Sequence, residues 1–264
     1  MQIADAVIVV TGGASGIGQG LCRRFAADGA AAVIVADRDQ EGGERLAAEI
    51  GGVFLPCDVA EESQVQQLVE QTIAQWGRID LFCSNAGVTV KGGEEATDDQ
   101  WGLNWQINVM SHVYASRHVL PGMVARKQGA FLVTSSAAGL LTEIGSAPYS
   151  ATKHAAVGFA EWLSVRYRRE GVHISCLCPA GVATEFLDLE DPIHRFLHTS
   201  SVTPDELAGQ VVEGLAAEKF LIVSHKEVTD FFQFKTQDYD RWLHNFSRLR
   251  QKAERDTARS REAS

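Results

Sequence analysis

Seven short β-branched runs recur along the chain, each followed by a longer stretch with helical spacing: VIVV at 7–10, AAVIVA at 31–36, VFLP at 53–56, IDLFCS at 79–84, AFLVTS at 130–135, VHISCL at 172–177 and FLIVS at 220–224. A strand that is apolar at every position has no face to offer water. It belongs in a parallel sheet covered by helices on both sides. The pattern predicts an α/β protein, a doubly wound seven-stranded parallel sheet with helices on both faces. Residues 1–264 are read as a single domain, because no internal repeat, low-complexity linker or 20-residue apolar segment divides them. Two segments stand outside the alternation. Residues 185–203 lie between the sixth strand and a helix opened by Thr203, Pro204 and Asp205, and are expected to form a substrate lid. Residues 227–264 are expected to form a helical extension, aromatic at first (Phe231, Phe232, Phe234, Tyr239, Trp242) and ending in a charged tail.

The formal net charge of -10 disfavours nucleic acid or an anionic membrane as the principal partner, since both repel an acidic surface. A small molecule is the expected partner. The opening MQIADAVIVV is too short to span a membrane and lacks both a basic start and a cleavage site, so no export is expected. Cys22, Cys57, Cys83, Cys176 and Cys178 are an odd number, four of them in or beside strands, which fits buried free thiols and a cytoplasmic location. Cys176 and Cys178 share one strand face, but no Cys/His set has ligand spacing, so no metal site is expected.

After the first run comes TGGASGIG, with Gly12, Gly16 and Gly18 at a turn into a helix. Glycines there let the backbone approach a pyrophosphate, and the free N–H groups and dipole of a helix N-terminus attract its charge. Between strand and helix this is a dinucleotide loop of the Rossmann type, with Ser15 and Ile17 among its contacts. Asp37 closes the second run, where a carboxylate can accept both hydroxyls of an adenosine ribose. At about 4 Å and an effective dielectric near 20 it would repel a ribose 2′-phosphate by a few kcal/mol, which favours NAD over NADP. Arg38 is the competing consideration, since a guanidinium beside the ribose can take a phosphate.

In YSATK, Tyr149 and Lys153 are four apart and share one helical face. A phenol with a pKa near 10 must fall by roughly three units, about 4 kcal/mol, to act as a base near neutrality. A neighbouring ammonium and the positive nicotinamide ring are the expected causes of that fall. Ser135 and Ser136 end the fifth run at its carboxyl side, where open α/β sheets bind ligands.

With Asp37, CDV at 57–59, NAG at 85–87, Asn108, SSAAG at 135–139 and PAGVAT at 179–184, these motifs make the chain resemble the short-chain dehydrogenase/reductase family from residue 5 to about 225. The resemblance implies that Tyr149 donates or accepts the proton and that Lys153 holds the nicotinamide ribose and lowers the tyrosine pKa. It further implies that Ser136, thirteen residues before the tyrosine, holds the substrate oxygen, while Asn108 anchors a water of the proton relay. Ser135 is then structural. By the same resemblance Asp58 and Val59 meet the adenine, Asn85, Ala86 and Gly87 line the cofactor, and Pro179, Val182 and Thr184 border the nicotinamide, the last two at its carboxamide.

Ala180 stands where the family usually has glycine, and no glycine-rich terminal segment follows the seventh run. That leaves tetramer assembly open, while the resemblance implies a homodimer through the helices containing 102–127 and 149–170, although Trp162 and Val165 on the second helix could equally be core. The implied reaction is NAD-dependent interconversion of a secondary alcohol and a ketone. Leu140, Leu141, Ile144, Phe186, Leu187, Phe196 and Leu197 suggest a hydrophobic or aromatic substrate, and His194 with His198 reads as a surface pair. The alternatives are an NADPH-dependent carbonyl reductase, if Arg38 overrides Asp37, and a non-catalytic NAD-binding regulator.

Overall fold

The computed structural model describes residues 1–184 and 201–262. The strands are β1 (Val7–Thr11), β2 (Ala32–Asp37), β3 (Val53–Pro56), β4 (Leu81–Ser84), β5 (Gly129–Thr134), β6 (Val172–Cys178) and β7 (Leu221–Val223). They form one sheet in the order β3-β2-β1-β4-β5-β6-β7, with every neighbouring pair parallel. The order reverses between β1 and β4, and that crevice is where such sheets take a ligand.

Alternation within each strand explains why the runs are apolar throughout. Val7, Val9, Phe82, Phe131 and Ile174 face one layer, which is built on α3 (Glu62–Trp76), α5 (Ser111–Arg126) and α7 (Ala147–Tyr167). Ile8, Val10, Val35, Cys83 and Leu132 face the other, built on α1 (Gly16–Ala27), α2 (Gln40–Ile50) and α8 (Pro204–Ala216). Phe82 and Phe131 stack at 5.6 Å in the first layer, a pairing that adds about 1 kcal/mol to their burial.

Helix ends follow local chemistry. Thr203 caps α8 through a reciprocal pairing with Glu206, with proline in the first turn. Thr97 caps α4 (Asp98–Trp105) in the same way with Gln100. A π-helical turn, Gln106–Met110, joins α4 to α5, and the short α6 (Ala138–Leu141) follows β5.

The C-terminal region folds as α9 (Lys226–Gln237) and α10 (Tyr239–Glu262). Trp242 is buried and packs its ring against Phe231, Phe234 and Phe246. Residues 185–200, which include most of the expected lid, Phe186, Leu187, Phe196, Leu197, His194 and His198, lie outside the described residues. Trp162 and Val165 are 60% and 84% exposed, so the core reading of these two side chains does not hold. Among the described residues no helix is long and apolar enough to cross a membrane, and no His/Cys/Asp/Glu group is arranged to hold a metal ion. All five cysteines are free and buried.

Candidate active site

The glycine loop runs from the end of β1 into α1. Gly12 has φ +65°, and a Cβ on it would stand 2.9 Å from the Ala86 backbone. Gly18 lies so close to the Gly12 carbonyl that any side chain would collide with it. The N-cap Ser15 makes no side-chain bond to the first turn of α1, and that turn contains no acid. Its amides therefore remain available to an anion, and the residues present fit a pyrophosphate. Asp37 is drawn to the same loop, with Oδ2 accepting from the Ala14 amide at 3.0 Å and Oδ1 from the Asp39 amide at 3.1 Å. Each oxygen keeps a lone pair for a further donor. Arg38, beside it, is solvent exposed. Thr184 lies across the loop, its Cγ2 3.4 Å from where a Gly16 Cβ would be, and Ile17 is half-buried on the first turn.

The mouth of β4 is tied to β1 by Asn85. Its Nδ2 donates to the Thr11 carbonyl at 3.0 Å, and its amide donates to Thr11 Oγ1 at 2.9 Å. Asn85 Oδ1 is buried without a partner among the described residues, an orphaned acceptor at the edge of the cradle. Ala86 and Gly87 continue from there toward the catalytic side chains. A Cβ on Gly87 would sit 3.2 Å from Lys153 Nζ and 3.3 Å from Asn108 Oδ1. On the opposite flank, Asp58 Oδ1 accepts from the Ala60 amide at 2.9 Å just before α3, beside the buried Val59.

Asn108 sits in the π-helical turn and is fully buried. Its carboxamide closes on the Val88 backbone, accepting from the amide at 2.9 Å and donating to the carbonyl at 2.8 Å. It also reaches Thr152 Oγ1 at 3.2 Å, which ties the turn to α7. Single π turns inside helices are frequent at functional sites.

Ser136 follows β5, and its Oγ accepts from the Ala138 amide at 3.1 Å and hydrogen-bonds the Tyr149 phenol. Ser135 points the other way, donating to the Lys153 carbonyl at 2.8 Å, a structural contact. Ser146 caps α7 by accepting from the Tyr149 amide at 3.1 Å, with Pro148 in the first turn, so Tyr149 emerges from a rigid helix start. Lys153 is 3% exposed, donates to the Thr134 carbonyl at 3.1 Å, and carries its ammonium 5.5 Å from the Tyr149 ring centre.

Burial pushes the Tyr149 phenol up to about 12, against the smaller lowering by the Ser136 bond. Burial also lowers the Lys153 ammonium to about 8. The expected fall of the tyrosine pKa is thus not a property of the chain alone. Desolvation outweighs the Ser136 bond, and a further positive charge is needed to reverse it.

Pro179 is buried, and its carbonyl accepts from the Ala137 amide at 2.8 Å. The Ala180 amide donates to Ser224 Oγ at 2.9 Å, so the position with alanine in place of glycine is anchored to the residue that follows β7. Val182 is buried and pairs with Val202. Of the expected substrate-facing residues, Leu140 and Leu141 are buried in the core layer. Ile144 lines a cavity of about 530 Å³ with Trp101, Thr142, Ser150 and Arg250. Neither Ser136 nor Tyr149 is among the residues lining that cavity.

His112, on α5 beneath the site, escaped the sequence reading, because one histidine in a helix looks like a surface residue. It is fully buried, with Nδ1 2.6 Å from Ser84 Oγ and Nε2 without a partner among the described residues. Burial, reinforced by the Lys153 charge, lowers it to about 3. Below about pH 6.5 the unfolded histidine takes up a proton that the folded one refuses, so stability drains as pH falls toward 3, at up to about 1.4 kcal/mol per pH unit. His112→Asn keeps an acceptor for Ser84 and is expected to flatten this acid limb in denaturant titrations from pH 7 to 3. An unchanged limb would assign the acid sensitivity to other groups.

A family model described as short chain dehydrogenase matches residues 6–192. The chain is 32% identical over 253 residues to 1-deoxy-11-beta-hydroxypentalenate dehydrogenase of Streptomyces exfoliatus, covering 92% of this chain and 91% of that protein. It is 30% identical to L-fucose dehydrogenase of Oryctolagus cuniculus, covering 83% and 80%. A solved short chain dehydrogenase/reductase from Burkholderia phymatum, in complex with NAD, superposes with a TM-score of 0.84 at 26% identity, covering 91% of this chain and 96% of that one.

Proposed function

Since the chain belongs to the short chain dehydrogenase family, nicotinamide-dependent oxidoreductases that act on CH–OH groups, we propose that it interconverts a hydrophobic or aromatic secondary alcohol and its ketone, with NAD as cofactor and Tyr149 as acid/base. The observation that carries this reading is the hydrogen-bonded Ser136–Tyr149 pair, set with buried Lys153 at the carboxyl end of β5 and linked to the glycine cradle through Gly87 and Ala86.

When bound, the cofactor supplies hydride acceptance and donation at its nicotinamide ring. The chain does the rest. Gly12, Ser15, Gly16, Ile17 and Gly18 would hold the pyrophosphate, Asp37 the adenosine ribose, and Asp58 and Val59 the adenine. Asn85, Ala86 and Gly87 would line the middle of the cofactor, and Pro179, Val182 and Thr184 its nicotinamide end. Ser136 Oγ holds the substrate oxygen, Tyr149 Oη removes its proton during oxidation or returns it during reduction, and Lys153 supplies positive charge beside both. In oxidation the Tyr149 phenolate would take the hydroxyl proton and become the phenol, with the bound cofactor as the two-electron oxidant that leaves a ketone. Asn108 holds the strand-end loop at Val88 and links it to α7, which suits a residue that orders the path by which the proton returns to solvent.

Selectivity for NAD rests on the Asp37 charge at the cradle's rim, and use of NADPH rests on the exposed Arg38 beside it. A panel of hydrophobic secondary alcohols, followed by absorbance of the reduced cofactor, tests both. Turnover with NAD well above NADP is expected, and equal or better efficiency with the phosphorylated cofactor would overturn the assignment. Five buried reduced thiols suit a cytoplasmic enzyme. A homodimer is read from Trp162 and Val165, exposed on α7, with Leu103 and Trp105 exposed on α4, although a tetramer would use the same face. Light scattering of Trp162→Glu is expected to find monomer, and an unchanged mass would place the interface elsewhere.

A further inference from the structure

Lys235 on α9 is 5% exposed, an unusual burial for a lysine. Among the described residues no carboxylate pairs with it. Its ammonium instead donates to the Leu140 carbonyl, at the end of α6, at 2.6 Å. It lies 3.5 Å from His154 Nε2 and 5.3 Å from the centre of the Tyr239 ring. His154 Nδ1 is 2.8 Å from the Ser150 carbonyl, which can only accept, so Nδ1 carries the proton and Nε2 turns its lone pair to the ammonium. Ser150 in turn grips the chain just beyond α6. Its Oγ accepts from the Glu143 amide at 2.8 Å and donates to the Glu143 carbonyl at 3.0 Å.

Between these two grips stands Thr142, with φ +98° and ψ 146°. A β-branched residue in that region is strained by about 1–3 kcal/mol and persists only where its surroundings hold it. Clamped from both ends, segment 140–144 carries Leu140, Leu141 and Ile144 a few residues after Ser136.

We propose that Lys235 is a positioning residue for the substrate: by fixing the Leu140 carbonyl and His154 it sets segment 140–144 as a wall of the binding site, and so makes the C-terminal extension a determinant of substrate specificity. The proposal rests on Ser136 and Tyr149 being the reacting centre. Those two have separate anchors, the Ala138 amide and the Ser146 cap, so loss of the Lys235 ammonium loosens the wall and leaves the acid/base pair in place.

Hydrogen–deuterium exchange tests the positioning without substrate or turnover, which separates it from the functional reading. In Lys235→Met, which keeps most of the apolar stem, amides of 140–144 are expected to exchange at least about tenfold faster while those of Ala138, Ser146, β4 and β5 stay unchanged. Lys235→Arg should restore most of the protection, and His154→Ala, at an exposed position, should reproduce the loosening without endangering folding. On an alcohol that the wild type oxidises, Lys235→Met is expected to raise KM at least about fivefold with kcat within about threefold. Unchanged exchange in 140–144, acceleration spread evenly over the whole chain, or a kcat loss with KM constant would each overturn the proposal.

Discussion

Replacing Tyr149 by Phe is expected to lower turnover at least about a hundredfold while leaving NAD binding within about twofold, because the loss is of proton transfer, not of the cofactor's cradle. The ring keeps its slot at the start of α7, 9% exposed, and only the hydroxyl bonded to Ser136 is lost. Steady-state kinetics on a turned-over alcohol and a fluorescence titration with NAD separate the two quantities. Unchanged turnover would refute Tyr149 as the acid/base, and lost NAD binding would make it a cofactor contact first. The same residue carries a second readout. Because burial holds the phenol at about 12 in the chain alone, ultraviolet titration of the protein without cofactor should find no ionisation of Tyr149 near neutrality. With NAD bound, a phenolate absent from the Phe variant should appear several pH units lower. A fall of about five units corresponds to about 7 kcal/mol, which the cofactor's charge must supply in a poorly screened site that already holds Lys153.

Asp37→Asn should shift the ratio of NADP to NAD efficiency by at least about a hundredfold toward NADP, since it removes a charge that opposes a 2′-phosphate by a few kcal/mol. Asparagine is the informative replacement because its carbonyl oxygen can still accept from the Ala14 amide, the bond that ties Asp37 to the glycine loop. Arg38, exposed alongside, then faces the phosphate unopposed. Parallel kcat/KM measurements with both cofactors decide the matter. An unchanged ratio would mean that the Asp37 carboxylate serves the loop and not the ribose.

Much of the fold was legible because its strands are buried on both faces. VFLP at 53–56 coincides with β3, and AAVIVA is displaced by one residue, since Asp37 still pairs with Pro56. FLIVS shrinks to Leu221–Val223 at the sheet edge, where only β6 offers partners. The glycine loop and the YSATK helix were legible because backbone clearance and a four-residue spacing are written locally. What escaped depends on distant contacts. Nothing in Gln106–Met110 announces a π turn, which follows from the fit of Asn108 between Val88 and Thr152. Nothing local marks His112 or Lys235 as buried, yet each is covered by elements far away in sequence: His112 against Ser84 on β4, and Lys235 against Leu140 at the end of α6. How far burial alone raises the tyrosine pKa was hidden for a related reason. Spacing places an ammonium nearby but says nothing of how dry the site is.

The five thiols, all buried and none paired, give the molecule a built-in clock. Burial raises Cys22, Cys57 and Cys83 well above the ordinary thiol range, so an alkylating reagent finds no thiolate until the surrounding layer opens. Cys22 and Cys83 lie in the layer beneath the glycine loop and Cys57, Cys176 and Cys178 in the one beneath the catalytic helix. Modification followed residue by residue in a mass spectrometer therefore times the opening of each layer separately, and a bound dinucleotide should slow both clocks by clamping the crevice between them.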